Sequence, residues 1–150
     1  GISALSRAAP HTDRTDCRWA ALLADLPEAR AKEASERLKA PNAFSLLATR
    51  ISGGRSSIKT ALREATECMA LLKVLDGLRR EEPFEGFCET LVALEQKSVD
   101  AHSAVDLLRR ARDAAQHVKA ADFVDQGLTG PALGAAIQSK QIERIAKLLD

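Results

Sequence analysis

Apolar side chains recur every three or four residues along nearly the whole chain, a spacing that is typical of amphipathic helices. Prolines or glycines interrupt the pattern near residues 27, 41, 53–54, 83 and 127–131, where helices are expected to end or begin. Aromatic residues make up only 3% of the chain and Tyr is absent, which argues against a β-sandwich or barrel. The pattern predicts an all-α protein, a bundle of about seven to nine helices.

Capping residues and breakers divide this pattern into individual helices. The predicted segments run from Asp13 or Thr15 to about residue 26, over 28–39, from Asn42 to the Gly53-Gly54 pair, from Ser56 or Ser57 to about 79 (unbroken, or restarting at Thr66), from Pro83 to about 94, from Asp100 or Ser103 to about 118, over 121–126, and from Thr129 towards the end. Trp19 lies on the apolar stripe of the first segment, so we expect it to pack in the core rather than to stack on a base. The Gly53-Gly54 pair is interpreted as a helix–helix turn rather than a phosphate loop, since no strand precedes it.

The length of 150 residues suits one domain or two small helical lobes. We predict a compact helical lobe at 1–98, called the body, and a helical lobe at 99–150, called the tail. The first residue is Gly1 rather than Met, which suggests a piece of something longer. No apolar run approaches the roughly 18 residues of a membrane span, and no signal peptide opens the chain.

The 22 basic and 21 acidic residues leave a formal net charge of +1. Any nucleic-acid binding must therefore come from local patches rather than from the overall field. Three widely spaced cysteines, Cys17, Cys68 and Cys88, form no Cys-x-x-Cys pair. Their apolar helical contexts predict buried free thiols in a reducing compartment.

Three segments carry a resemblance to a known family. They are 36–42 (ERLKAPN), 71–84 (LLKVLDGLRREEPF) and 127–134 (GLTGPALG), the last followed by isoleucines at 137, 142 and 145. In this order and spacing they resemble the C-terminal half of bacterial CCA-adding tRNA nucleotidyltransferases of the poly(A)-polymerase-like superfamily. The resemblance extends from about residue 17 to the end.

The resemblance implies an all-α region that follows a catalytic head. The divalent metal, CTP and ATP expected of the parent enzyme would bind in that head, so no cofactor and no catalytic residue is expected in this chain. tRNA is the expected partner, together with the head itself, in the cytoplasm; no membrane association is expected.

Several branches of this family also carry a metal-dependent phosphohydrolase module of the His-Asp type. In the matching run, 19–28, Ala24 replaces the metal-binding His, and Pro27-Glu28 replaces a Gly-Lys pair. Asp25 alone cannot hold a divalent ion, which needs several converging ligands. The body is therefore expected to contain a degenerate His-Asp-type segment without a metal site, and residual phosphohydrolase activity is the least favoured alternative.

One face of the predicted helix around residue 110 is rich in cations. Positions 109, 112, 116 and 119 share this face, and Arg guanidinium groups suit phosphate oxygens. Asp106 and Asp113 are close enough in sequence to neutralise part of this charge, so a solvated outer face is the alternative. The candidate RNA-contacting residues here are Arg109, Arg110, Arg112 and Lys119.

The last helix offers a second candidate surface. Its start at Gly130-Pro131 would expose backbone amides, which favour a phosphate, and Lys140, Arg144 and Lys147 recur along one side. Alternatively, Gly134 only permits tight helix packing and the lysines face solvent. The family usually shows further arginines after residue 137 and near 95–99, where this chain has other residues.

Together these features predict the tRNA-binding C-terminal region of a tRNA nucleotidyltransferase-like enzyme, which positions the tRNA for CCA addition by the N-terminal head. The alternative is a helical protein–protein interaction scaffold that has lost its RNA contacts. The sequence leaves open whether the parent adds CCA, part of it or poly(A).

Overall fold

The architecture is all-α, as predicted. A computed structural model describes residues 1–95 and 98–150, and in these residues it contains nine α-helices, two 3-10 helices and no strand. The α-helices are α1 (Ile2–Ala8), α2 (Thr15–Leu23), α3 (Glu28–Arg37), α4 (Asn42–Gly54), α5 (Ile58–Ala61), α6 (Ala65–Val74), α7 (Glu81–Leu94), α8 (Val99–Gln116) and α9 (Gly130–Leu149), and the 3-10 helices are Ala9–His11 and Ala120–Gln126.

The helix ends follow the breakers in the sequence closely. Helix α4 ends at Gly54 as predicted, and the next predicted segment is split into α5 and α6, which restarts one residue before the predicted Thr66. Pro83 lies in the first turn of α7, where its missing N–H costs nothing. Helix α8 is capped by Ser98, whose hydroxyl accepts a hydrogen bond from the amide of residue 101 at 3.3 Å, not by Asp100 or Ser103.

Helix α7 forms the centre of the core. Its apolar stripe of Phe84, Phe87, Cys88, Leu91 and Leu94 is buried throughout, which confirms the helix predicted from Pro83 to about residue 94. Each large apolar side chain buried in this way contributes about 1.5–3 kcal/mol relative to an exposed one. Helices α1, α2, α4 and α8 all pack against α7.

Trp19 is half-buried against the core, as predicted. Its indole Nε1 donates to Ser35 Oγ at 3.1 Å, and that hydroxyl donates to the Ala31 carbonyl at 2.9 Å. This chain of hydrogen bonds satisfies the polar groups that α2 and α3 bury between them.

The tail shares its core with the body. Val105, Leu108, Ala111 and Ala115 of α8 and Ile145 of α9 belong to the same buried cluster as the α7 stripe, and α9 packs on both α6 and α8. The division into body and tail stays a prediction, and residues 96–97 beside the proposed junction lie outside the described part of the chain.

The three cysteines are buried and unpaired, as predicted. Burial raises the pKa of the Cys68 thiol to about 11 and that of the Cys88 thiol to about 12. In the described part of the chain, no helix combines the length and the apolar character that crossing a bilayer requires.

Candidate nucleic-acid interface

Arg109 of α8 is held by an acidic residue of the body. Its Nη2 lies 2.8 Å from Glu85 Oε2, and its Nε also donates to the same carboxylate. Asp106, one turn away, lies 3.7 Å from Nη1. The hydrogen bond to Glu85 raises the pKa of Arg109. The charge of Arg109 is thus largely neutralised within the protein.

Arg112 is half-buried and anchors α8 to the turn that follows α6. Its Nε donates to the Gly77 carbonyl at 2.5 Å, and its guanidinium carbon lies 5.1 Å from the centre of the Phe84 ring. One turn on, Gln116 Nε2 donates to the Leu78 carbonyl at 3.1 Å. This part of the predicted cationic face therefore contacts the body rather than solvent.

Arg110 and Lys119, in contrast, are exposed. Neither makes an ion pair with any residue that the structure describes. Lys119 precedes the 3-10 helix Ala120–Gln126, and its backbone amide donates to Asp122 Oδ2 at 2.9 Å. Because α8 ends at Gln116, the predicted helical face does not extend to Lys119. Arg110 and Lys119 are the exposed cations of this candidate set.

The start of α9 is open to solvent. Gly130 is exposed and has φ 57°, a conformation that favours glycine. Thr129 occupies the N-cap position as predicted, but its side chain caps no amide. A Cβ placed on Gly134 would meet no atom within 4 Å, so the interpretation of Gly134 as a close-packing residue is wrong.

The cations along α9 are partly neutralised. Lys140 and Lys147 lie 3.0 and 3.3 Å from the carboxylate of Glu143, and hydrogen bonds from both lower the pKa of that carboxyl. Arg144 is half-buried and makes no ion pair among the described residues. Two of the three cations thus share one carboxylate on this helix, and Arg144 is the third.

Helices α8 and α9 lie side by side. Gln141 Nε2 of α9 donates to the Ala115 carbonyl of α8 at 3.3 Å. Gln116, Lys119 and Gln141 line one surface depression between the two helices, with Asp113 at its edge. Of the candidate residues, only Lys119 lines this depression.

The run 19–28, predicted above to be a degenerate His-Asp-type segment, contains an aspartate with two ion pairs. Asp25 Oδ2 lies 3.0 Å from the amino group of Gly1, and Oδ1 lies 3.3 Å from Arg55 Nη1. Among the residues that the structure describes, no group of three His, Cys, Asp or Glu side chains could hold a metal ion.

A further group of cations lies on the body and was not predicted from the sequence. Arg14, Arg50 and Arg80 line one cavity between α2, α4 and α7. Positions 14, 50 and 80 are separated by 36 and 30 residues in the sequence, so no helical spacing connects these arginines. Only the packing of these helices brings them together.

Similar proteins were found among curated sequences. A protein named CCA-adding enzyme from Pseudomonas putida W619 is 36% identical over 145 residues, which is 96% of this chain and 39% of that protein. A multifunctional CCA protein from P. putida KT2440 is 34% identical over 96% of this chain and 40% of its own length. Another from Halorhodospira halophila is 34% identical over 79% of this chain and 30% of its length.

No family model matches the chain, and no solved structure matches it significantly. The chain spans about two fifths of the length of the first two curated relatives. The match extends along nearly the whole chain and confirms the resemblance carried by segments 36–42, 71–84 and 127–134. Nearly the whole chain is therefore homologous to a segment that makes up about two fifths of the bacterial CCA-adding enzymes.

Proposed function

We propose that this chain is the tRNA-binding C-terminal region of a tRNA nucleotidyltransferase and positions the tRNA for CCA addition by an N-terminal head. The homology to about two fifths of CCA-adding enzymes carries this proposal. In the intact enzyme the head would supply the divalent metal, CTP and ATP sites. The helical region would grip the RNA through its backbone and shape, as suits a protein that accepts every tRNA.

Cations of the tail without an ion-pair partner support this role. Arg110 and Lys119 are exposed and Arg144 of α9 is half-buried, and none of the three makes an ion pair among the described residues. Gly130 adds an open helix start, which favours an anion. We propose these four residues as the RNA contacts, whereas Arg109 and Arg112 hold the tail helix on the body.

Filter binding of deacylated tRNA over a series of salt concentrations tests the proposal. The affinity constant K falls as the salt concentration rises, and each lost phosphate contact makes the negative slope of log K against log [salt] shallower by about 1. We expect Arg110→Gln and Arg144→Gln each to make this slope shallower by about that amount. The matched control is Arg63→Gln, which removes an exposed charge from the turn after α5 and leaves the slope unchanged. A chain whose affinity for tRNA does not depend on salt, even when joined to a catalytic head, contradicts the proposal.

A protein-interaction scaffold is the second candidate function. The observation that favours it is the internal neutralisation of Arg109 by Glu85 and of Lys140 and Lys147 by Glu143. A stable complex with a protein partner, together with no measurable tRNA binding, would support this alternative.

A further inference from the structure

The cavity between α2, α4 and α7 contains two cations that form no ion pair with any residue that the structure describes. Arg50 of α4 and Arg80, the N-cap residue of α7, line it together with Arg14, Asp16 and Glu82. Its volume is about 150 Å³, several times the roughly 30 Å³ that a water molecule occupies in the liquid. The space is therefore large enough for a small oxyanion.

Arg14 is not one of these two cations, because it is already paired. Its Nη2 and Nε donate to the two oxygens of Asp16 at 2.8 and 3.1 Å, and Nη1 lies 3.8 Å from Glu89. Because Asp16 is paired with Arg14, it does not neutralise another cation of the cavity. Glu82 is the remaining acid of the cavity, so the balance of its unpaired charges is positive.

Arg50 is half-buried, yet it makes no ion pair and no side-chain hydrogen bond with any described residue. Loss of solvent lowers its pKa; Asp76 opposes this shift, whereas the neighbouring charge of Arg80 adds to it. Holding two guanidinium groups near each other, one of them partly desolvated, costs folding free energy. A bound anion would offset that cost.

Gly86 keeps one wall of the cavity open. It lies inside α7, where glycine is unfavourable, and a Cβ at this position would lie 3.2 Å from Arg14 Nη2 and 3.5 Å from Leu47 Cδ2. The groove continues from Arg80 towards Lys39, along a depression that also includes Ala43 and Leu46. The cavity thus opens onto a surface with further positive charge.

We propose that Arg50 and Arg80 form a binding site for a phosphate group, either the backbone of an RNA or the phosphate of a small ester. Two planar guanidinium forks can donate several hydrogen bonds to a tetrahedral oxyanion, and the open groove beside them leaves room for the group that the phosphate carries. The site lies on the body, apart from the α8 and α9 cations proposed above to contact tRNA, and it does not depend on that proposal.

Titration of the whole chain with inorganic phosphate at constant ionic strength tests this site. The readout is the arginine Nε–Hε signals in NMR spectra, together with the rise in unfolding temperature that a ligand of the folded state produces. We expect saturable changes at Arg50 and Arg80. Arg50→Gln and Arg80→Gln should each weaken phosphate binding about tenfold, since each removes a charge-assisted hydrogen-bonding group. The matched control Arg63→Gln should leave binding unchanged.

Three results would overturn the site: equal changes with acetate or chloride, an equal loss in Arg63→Gln, or unchanged binding in the two variants. Arg80 is exposed, so Arg80→Gln keeps the test valid even if Arg50→Gln fails to fold. Adding an RNA oligonucleotide at saturating phosphate separates the two sources. Competition assigns the site to the RNA backbone, and its absence assigns it to a small phosphate ester; both outcomes support a phosphate site.

Discussion

The contact between Arg112 and the turn after α6 predicts a clear separation of stability from RNA binding. Replacing Arg112 with Met keeps an unbranched side chain but removes the hydrogen bond to the Gly77 carbonyl and the contact with the Phe84 ring. A hydrogen bond from a charged group contributes about 1.5 kcal/mol at the lower end of its range. The cation–π contact adds about 0.5–1 kcal/mol at a half-exposed position.

The expected loss for Arg112→Met is therefore about 2 kcal/mol in the free energy of unfolding. For a chain of this size, that loss corresponds to a decrease of about 4–8 °C in the unfolding temperature. Urea unfolding followed by far-UV circular dichroism measures it as a lower midpoint at an unchanged m-value. Arg112→Lys should lie between Met and wild type, because Lys keeps the charge but lacks the planar fork.

Arg110→Met is the matched control, since Arg110 is the exposed neighbour of the same residue type. We expect its stability to stay within about 0.5 kcal/mol of wild type, while its affinity for tRNA falls. Equal stabilities of the Arg110 and Arg112 variants would refute the reasoning. So would an Arg112→Met variant of wild-type stability whose salt slope for tRNA binding is reduced.

Three further predictions concern packing, thiol reactivity and pH. Gly54→Ala should lower the free energy of unfolding by about 1–2 kcal/mol, since its Cβ would lie 3.2 Å from the buried Phe87 ring. Gly134→Ala, whose Cβ would meet no atom within 4 Å, should raise it by about 0.5–1 kcal/mol. Urea unfolding measures both changes. Cys88, whose pKa burial raises to about 12, should react with a thiol reagent at least about a hundredfold more slowly in the native than in the unfolded chain. Asp16, whose pKa a hydrogen-bonded arginine lowers, should stabilise the fold fully above its unfolded pKa of about 3.9, and this stabilisation should be lost as the pH falls through the lower folded value; Asp16→Asn should lack it.

Each of these has a result that contradicts it. A stabilised Gly54→Ala would mean that the Phe87 ring yields easily, and a destabilised Gly134→Ala would mean that α9 is packed at that residue. Rapid modification of Cys88 in the native chain would contradict its burial. For Asp16, the decisive quantity is the stability difference between wild type and Asp16→Asn, which should shrink on going from pH 7 to pH 3; a constant difference would contradict the linkage.

The helical core was largely predictable from the sequence. The stripe from Phe84 to Leu94 has the spacing of a buried helix face, and Gly54 and Gly127 mark real ends. Helix α1 was not predicted, because it is short and its buried residues are only Ala4 and Ala8. Small residues give little hydropathy signal even where the helix packs closely.

The candidate site was less predictable, because helical spacing places a side chain on a face but does not identify its partner. Arg112 lies four residues after Leu108 and three before Ala115, both fully buried, so it borders the core stripe. This position was the available sign that Arg112 would reach the body. Arg112 and Gln116 of α8 donate hydrogen bonds to the carbonyls of Gly77 and Leu78, which lie 35 and 38 residues earlier in the sequence. No local sequence pattern reveals such a pairing.

That distant pairing also has a consequence for the order of folding. The turn after α6 presents two carbonyls, those of Gly77 and Leu78, that are satisfied by side chains of α8. Since closing so long a loop costs entropy before the contact is made, this turn is held in place only after α8 has docked. The turn and α8 should therefore open as one unit in the native state, although they are not neighbours in sequence.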